Sequence, residues 1–160
     1  MILAKELQSF FTFLFSFFTL LHAFLSTYIF IIPLIVGLLS EMLKIFTEGI
    51  ERGTWHEGLF RPGGMPSTHS ALVTSLLIVV AEKSGLDSVS FAIAFVFACL
   101  VWYDAMSSRR AIGQQAELLN RLQKWVHLSE RLGHSFKEVV GGIVFGAVVT
   151  ALGIWVSGGF

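Results

Sequence analysis

Charged residues are scarce in this chain of 160 residues: Asp, Glu, Lys and Arg make up 14% of it, whereas 54% of the residues are hydrophobic. Because an average soluble domain carries about 25% charged residues, the composition excludes an ordinary soluble protein and predicts one integral membrane domain. The 11 basic residues balance the 11 acidic ones, which gives no sign of a nucleic-acid partner. Cys99 has no second cysteine with which to form an internal disulfide, so it is interpreted as a small buried or lipid-facing residue.

Two patterns that bind ligands are also missing. The chain has no Gly-x-x-x-x-Gly-Lys-Ser/Thr loop, which argues against a nucleoside triphosphate site of that type. Its five histidines include no His-x-x-x-His pair and no ligand set with cysteine. The sequence therefore predicts a mechanism that uses no metal and no other cofactor.

Five apolar segments approach the length of about 20 residues that crosses a bilayer. They cover residues 6–25, 27–46, 67–82, 88–106 and 136–157. Residues 1–25 are interpreted as an additional, retained membrane helix and not as a cleaved signal, because Lys5 and Glu6 form a weak charged flank and no small-residue cleavage site follows. Residues 26–160 then form the main membrane domain. A turn at 26–28 would separate the first two segments, although Pro33 would also allow one long kinked helix.

Residues 107–133, between the last two segments, are amphipathic. Apolar residues recur there at spacings of three and four: Ile112, Ala116, Leu119, Leu122 and Val126. Charged residues lie opposite: Glu117, Arg121 and Lys124. This pattern predicts a helix along the membrane surface. The expected fold class is all-α, a polytopic membrane helical bundle with about five transmembrane helices and one amphipathic interfacial helix.

The distribution of basic residues predicts the orientation of the chain. If the N-terminus lies in the cytoplasm, all Lys and Arg residues except Lys83 fall on the cytoplasmic side, as the positive-inside rule requires. We therefore expect an integral protein of the plasma (inner) membrane of a bacterium. The starts of the third and fifth segments and the ends of the second and fourth would meet at the cytoplasmic surface and form a composite site.

The stretch from Gly63 to Ala71, GGMPSTHSA, indicates an anion site at the start of a helix. Pro66 suits a first helical turn, and the short polar side chains of Ser67 and Thr68 suit a cap. The free N–H groups and the helix dipole would attract an anion such as phosphate. His69 projects from the same turn and would supply a proton donor.

A second histidine motif begins the last apolar segment. His134 and Glu138 are four residues apart, so on a helix the carboxylate would accept a hydrogen bond from one imidazole nitrogen and leave the other as a nucleophile. Taken alone, the pair would also suit an ordinary surface contact at a helix start.

Several cations near the same surface could bind phosphate. Arg109 and Arg110 offer forked donors, although arginines beside a span also set topology and contact lipid head groups. Asp104 is expected to orient one of these arginines rather than to hold a metal ion. Lys44 would either anchor the second segment at the interface or reach the phosphate.

Three ordered motifs resemble the divergent PAP2 family, which is similar to type 2 phosphatidic acid phosphatases and, more remotely, to vanadium-dependent haloperoxidases. They read GGMPSTHSA at 63–71, DAxxxRR at 104–110 followed by GQQAELLN, and GHxxxEVxxG at 133–142. The resemblance covers residues 27–157 and implies a helical membrane phosphatase.

The resemblance also implies residue roles. In the wider superfamily a Pro-Ser-Gly-His motif supplies the general acid, and a His-x-x-x-Asp motif supplies the nucleophile and its carboxylate. His69 and His134 fall on these two histidines, and Glu138 takes the place of the aspartate. Thr68 replaces the usual glycine. The resemblance thus makes His69 the general acid, His134 the nucleophile and Glu138 its orienting carboxylate.

The cations depart from the superfamily pattern. Its Lys-x6-Arg-Pro motif is not reproduced, because Lys44 lies too far from Arg61 and Pro62. Leu128 stands where an arginine is expected six residues before the nucleophilic histidine. The candidates to replace that arginine are Arg109, Arg110 and Arg131.

Together these features predict a metal-independent membrane phosphatase that hydrolyses lipid phosphate monoesters or pyrophosphates through a phosphohistidine intermediate at the cytoplasmic interface. Its expected partners are membrane lipids and a phosphorylated lipid substrate, without nucleic acid, and a homo-oligomer is compatible with the sequence. The expected phosphate-binding residues, with Asp104 orienting them, are Lys44, Ser67, Thr68, Arg109 and Arg110. The main alternative is a non-catalytic membrane protein of the same fold that binds anionic lipid head groups or a partner. A small transporter or channel is less favoured, because no charged residue lies near the centre of a predicted span.

Overall fold

The computed structural model describes residues 2–28, 30–52, 64–130 and 132–157, and all regular structure in these ranges is α-helical. The helices are α1 (Ile2–Thr27), α2 (Ile31–Arg52), α3 (Thr68–Ser84), α4 (Val89–Met106), α5 (Ser108–Leu122) and α6 (Phe136–Val156). Three stretches are long and apolar enough to cross a membrane: Lys5–Thr27, Val89–Leu122 and Phe136–Val156. The predicted all-helical membrane fold is therefore confirmed.

The two other predicted spans form α2 and α3, which are less suited to cross a bilayer by length and composition alone. α3 has 17 residues, which reach roughly 26 Å, against about 30 Å for the hydrocarbon core. α2 carries Glu41, Lys44 and Glu48. Because α2 continues beyond residue 46, Glu41 lies near the middle of the helix and not near the end of the predicted segment. The count of five spans stays a prediction.

The chain turns between α1 and α2, as the first of the two alternatives predicted. α1 ends at Thr27 and α2 begins at Ile31, whose N–H donates to the carbonyl of Tyr28 at 2.9 Å. Pro33 lies in the first turn of α2, where its missing N–H sacrifices no helical hydrogen bond. Pro33 therefore helps to begin α2 instead of bending a longer helix.

α3 and α6 form the centre of the bundle. A Cβ atom at Gly142 would lie 2.4 Å from the carbonyl oxygen of Ser67, and one at Gly146 would lie 2.4 Å from that of Ala71. The two glycines therefore let the helix backbones touch, as small residues do between membrane helices. The N–H of Ser67 also donates to the carbonyl of Glu138 at 3.1 Å. These contacts hold the starts of α3 and α6 side by side.

The predicted amphipathic helix is shorter than the range 107–133. α5 ends at Leu122, and residues 123–130 and 132–135, here named the return segment, run back along it without helical structure. The Asn120 side chain causes this change, because its Nδ2 donates to the Leu128 carbonyl at 2.8 Å and its Oδ1 accepts from the Leu128 N–H at 2.9 Å. Near the end of the return segment, the N–H of His134 donates to the carbonyl of Ala105 at 2.9 Å. Val126 consequently lies outside the apolar face of the helix.

Candidate active site

Ser67 fixes the start of α3. Its hydroxyl accepts from the N–H of Ser70 at 3.4 Å and from the hydroxyl of Ser70 at 3.0 Å, and the residue is fully buried. Its own N–H donates to the carbonyl of Glu138, so Ser67 caps α3 and joins it to α6, and a role in phosphate binding stays a prediction. The first bond along α3 runs from the N–H of Ala71 to the Ser67 carbonyl, which leaves the Thr68 and His69 N–H groups in the turn without intrahelical acceptors.

Glu138 has a structural and an electrostatic contact at the start of α6. Its Oε2 accepts from the N–H of Ser135 at 2.7 Å, and its own N–H donates to the Ser135 hydroxyl at 3.3 Å. This reciprocal pair is a capping box, which the sequence analysis missed although Ser-x-x-Glu is its signature. The same Oε2 lies 3.4 Å from Nδ1 of His134. Nδ1 is buried and makes no hydrogen bond to any residue that the structure describes.

The surroundings of His134 favour its neutral form. Burial lowers the pKa of the His134 imidazole, the Glu138 carboxylate acts in the opposite direction, and the positive charges of Lys44 and Arg109 lower the pKa further. The side chain is only 10% exposed. A neutral imidazole with one nitrogen beside a carboxylate is the form that a nucleophilic histidine requires.

His69 shares two of these charges, those of Lys44 and Arg109. It is the second residue of α3 and is exposed. Arg109, His134, Lys44 and Glu41 all act on it electrostatically. The structure thus brings the two histidine motifs together with two of the cations that the sequence proposed.

Lys44 points into the protein and does not reach outward as an interfacial anchor. Its Nζ lies 2.7 Å from Oε1 of Glu41, and the two side chains are 6% and 3% exposed. The other oxygen of that carboxylate, Oε2, accepts from the hydroxyl of Thr68 at 2.7 Å. Glu41 is a site residue that the sequence analysis missed. The available signal was a glutamate three residues before a lysine within an apolar segment.

The two neighbouring arginines differ in their surroundings. Nε of Arg109 donates to Oδ2 of Asp104 at 2.7 Å, and both side chains are about half exposed. Arg109 acts electrostatically on both histidines. Arg110 is exposed at the next position of α5. The remaining proposed replacements and motif residues, Arg61, Pro62, Gly63 and Arg131, lie outside the described residues.

A groove with a volume of about 970 Å³ adjoins this site, between α2, the turn before α3 and the first half of α6. Its walls are mainly apolar: Leu43, Met65, Val140, Val144, Phe145 and Val148. Four of its lining residues are polar: Thr47, Glu48, Lys137 and Glu138. Glu138, which lines the groove, also lies beside His134, so the groove adjoins the candidate site at this side chain.

No three His, Cys, Asp or Glu side chains come together as a metal-ligand set within 2–28, 30–52, 64–130 and 132–157. His22 and His127 are exposed and separate from the site, and His56 lies outside the described ranges.

Comparison with known proteins agrees with the resemblance in the sequence. A model of the divergent PAP2 family matches residues 25–149. The chain is also similar to the uncharacterized membrane protein YuiD of Bacillus subtilis (strain 168), with 38% identity over 108 residues, which are 55% of this chain and 68% of the relative. No solved structure matches. Since the family match spans well over half of the chain and includes both histidine motifs, the protein belongs to the divergent PAP2 family.

Proposed function

We propose that this protein is a metal-independent phosphatase of membrane lipid phosphates that acts through a phosphohistidine intermediate. The observation that carries the proposal is the junction of the starts of α3 and α6, where the Ser67 N–H donates to the Glu138 carbonyl at 3.1 Å and where His69 and His134 feel the charges of Lys44 and Arg109. Two histidines with separate roles, surrounded by cations, suit the transfer of a phosphoryl group to one imidazole and the transfer of a proton by the other.

In the first step, the imidazole nitrogen of His134 that is remote from Glu138 attacks phosphorus in line with the leaving oxygen. The bond from phosphorus to that oxygen breaks, and protonated His69 gives its proton to the leaving group, an alcohol or a lipid phosphate. In the second step, neutral His69 takes a proton from water while the water oxygen attacks phosphorus, and the bond from phosphorus to the His134 nitrogen breaks with its electron pair returning to the ring. Inorganic phosphate leaves, and both histidines return to their initial states.

The phosphate oxygens would be held by three kinds of donor. Lys44 and Arg109 supply positive charge, and Asp104 fixes the guanidinium of Arg109 at 2.7 Å. The N–H groups of Thr68 and His69 lie in the first turn of α3, where the helix dipole favours an anion. Donors arranged in this way stabilise the charge that develops on the oxygens during transfer.

The apolar groove supports a lipid substrate over a water-soluble one. It extends from Glu138 along α6 to Val148, and α6 is one of the stretches apolar enough to cross a membrane. A hydrocarbon chain in the groove would gain about 0.8 kcal/mol for each buried CH₂ group. The proposed location is the cytoplasmic face of a bacterial plasma membrane. Both monoesters and pyrophosphates of lipids can present a terminal phosphate to this site.

The alternative is a non-catalytic protein that binds anionic head groups. The observation that favours it is the changed set of cations. Leu128 stands where the superfamily has an arginine, and its N–H donates to the side chain of Asn120 on α5, so this position supplies no positive charge. Such a protein would bind phosphate or orthovanadate without turnover.

The experiment is to measure phosphate release from a panel of lipid monophosphates and pyrophosphates by the purified protein in lipid nanodiscs. We expect hydrolysis that orthovanadate inhibits, with losses of about 10²- to 10⁴-fold in His69→Ala and a larger loss in His134→Ala. Rapid quenching at alkaline pH, where phosphohistidine survives, should trap the intermediate in the wild type but not in His134→Ala. Full activity in both variants would refute the mechanism, and vanadate binding without hydrolysis would support the alternative.

A further inference from the structure

Glu41 joins two elements of the site through its two carboxylate oxygens. Oε1 lies 2.7 Å from Nζ of Lys44 on the next turn of α2. Oε2 accepts from the hydroxyl of Thr68, 27 residues away in sequence, at 2.7 Å. The carboxylate is 3% exposed, and a buried carboxylate is stable only when charges and hydrogen bonds compensate for its lost hydration.

These two contacts of Glu41 connect α2 to the first turn of α3 at the candidate site. Thr68 directly precedes His69 in the first turn of α3, and Lys44 is a cation that acts on both histidines. The Glu41 carboxylate therefore links the Lys44 ammonium to the turn that carries His69. Both links are side-chain contacts, so substitution can remove each of them separately.

We infer that Glu41 is a positioning residue whose carboxylate holds the Lys44 ammonium and the Thr68 hydroxyl in one arrangement, so that the cation and the first turn of α3 contact the same phosphate. This inference rests on the proposed function. It differs from the simpler role of a counter-ion, which would only reduce the positive charge of the site. The two roles predict opposite effects when the charge of Glu41 is removed.

The first test is Glu41→Gln, which keeps the side-chain shape and removes the charge. A positioning role predicts that kcat for a lipid phosphate falls by about 10- to 100-fold, since small misplacements of a catalytic constellation have effects of this size, while KM changes less. In a Lys44→Met background, Glu41→Gln should add little, because its effect passes through Lys44. Equal effects of Glu41→Gln in both backgrounds would contradict this coupling.

A second pair of variants separates the hydroxyl from protein folding. Thr68→Val is similar in shape but cannot donate to Glu41, whereas Thr68→Ser keeps the donor. We expect Thr68→Val to lower kcat several-fold more than Thr68→Ser, with similar thermal unfolding temperatures. The matched control is Glu117→Gln, which removes the exposed ion pair with Arg121 on α5 and should match the wild type in kcat.

Calorimetric titration with orthovanadate gives a readout that needs no turnover. Positioning predicts weaker vanadate binding in Glu41→Gln and Thr68→Val, whereas a counter-ion predicts tighter binding in Glu41→Gln. If the wild type hydrolyses no lipid phosphate but both variants bind vanadate more weakly than the wild type, the proposed function is refuted and the inference about Glu41 is retained. If the wild type is active and both variants match it in kcat and vanadate affinity, or bind vanadate more tightly, the inference is wrong and the proposed function stands.

Discussion

Glu138→Gln tests whether the carboxylate beside His134 takes part in catalysis or only caps α6. Glutamine also forms a capping box with Ser135, so this change removes the negative charge and preserves the helix start. Glu138→Ala would remove both and should lower the free energy of unfolding by about 1 kcal/mol, the usual effect of a lost cap. Comparison of the two variants separates the two contacts of one side chain.

The expected loss of activity follows from the distance of 3.4 Å between Oε2 of Glu138 and Nδ1 of His134. When His134 attacks phosphorus, its ring becomes positive. At this distance a unit charge pair is worth about 1 kcal/mol in water and about 5 kcal/mol at an effective dielectric constant of 20. Since Glu138 is 27% exposed and His134 10% exposed, we expect a value between these limits. The corresponding fall in kcat is about 10- to 1000-fold.

The pH profile adds a prediction with a definite sign. The pKa of His134 lies below its ordinary value of 6.5 because of burial, while Glu138 acts to raise it. In Glu138→Gln the pKa should fall further, so the acidic limb of kcat/KM should move to lower pH. Assays of lipid phosphate hydrolysis between pH 4.5 and pH 8 would measure both effects. A Glu138→Gln variant with full kcat and an unmoved acidic limb would refute the orienting role.

Three other predictions follow from the geometry of the site. In steady-state assays of the two purified variants, Arg109→Gln should reduce kcat by about 10²-fold or more, and Arg110→Gln should reduce it by less. Equal losses would contradict the proposal that Arg109 is the arginine that binds the phosphate. Gly146→Val should separate α3 from α6, because a Cβ would lie 2.4 Å from the carbonyl oxygen of Ala71. The variant should unfold at a clearly lower temperature than the wild type, and an unchanged unfolding temperature would argue against the close contact of the two helices. Asn120→Ala should release the return segment from α5, which limited proteolysis would detect as faster cleavage between residues 123 and 130; wild-type cleavage rates would show that the amide is dispensable.

The parts of the fold that follow from local pattern were predictable. The predicted segments 88–106 and 136–157 agree with α4 and α6 within one residue at each end, because both helices are mainly apolar and follow a serine N-cap. The end of α5 was not predictable from hydrophobic spacing, since it depends on the hydrogen bonds between Asn120 and Leu128. A side-chain amide that pairs with the backbone leaves no periodic signal.

In the candidate site, too, some contacts were predictable from the sequence and others were not. The spacing of His134 and Glu138 predicted that they lie close together, but not the geometry: His134 precedes the N-cap of α6, and the Glu138 carboxylate folds back onto the Ser135 N–H, which places it 3.4 Å from Nδ1 of His134. The Glu41–Thr68 bond joins residues 27 positions apart and depends on how α2 packs against α3. Hydrophobic spacing does not determine that packing. The sequence therefore shows an unusual glutamate in an apolar segment, but it does not show that Thr68 is a partner of Glu41.

The site is framed by two main-chain hydrogen bonds between elements that are distant in sequence. The Ser67 N–H donates to the Glu138 carbonyl at 3.1 Å, and the His134 N–H donates to the Ala105 carbonyl at 2.9 Å. Peptide groups form such bonds whatever side chains they carry. The two histidines consequently owe their relative placement to groups that most substitutions leave in place. Side chains around the two histidines can therefore change while the main-chain frame that places the histidines stays intact.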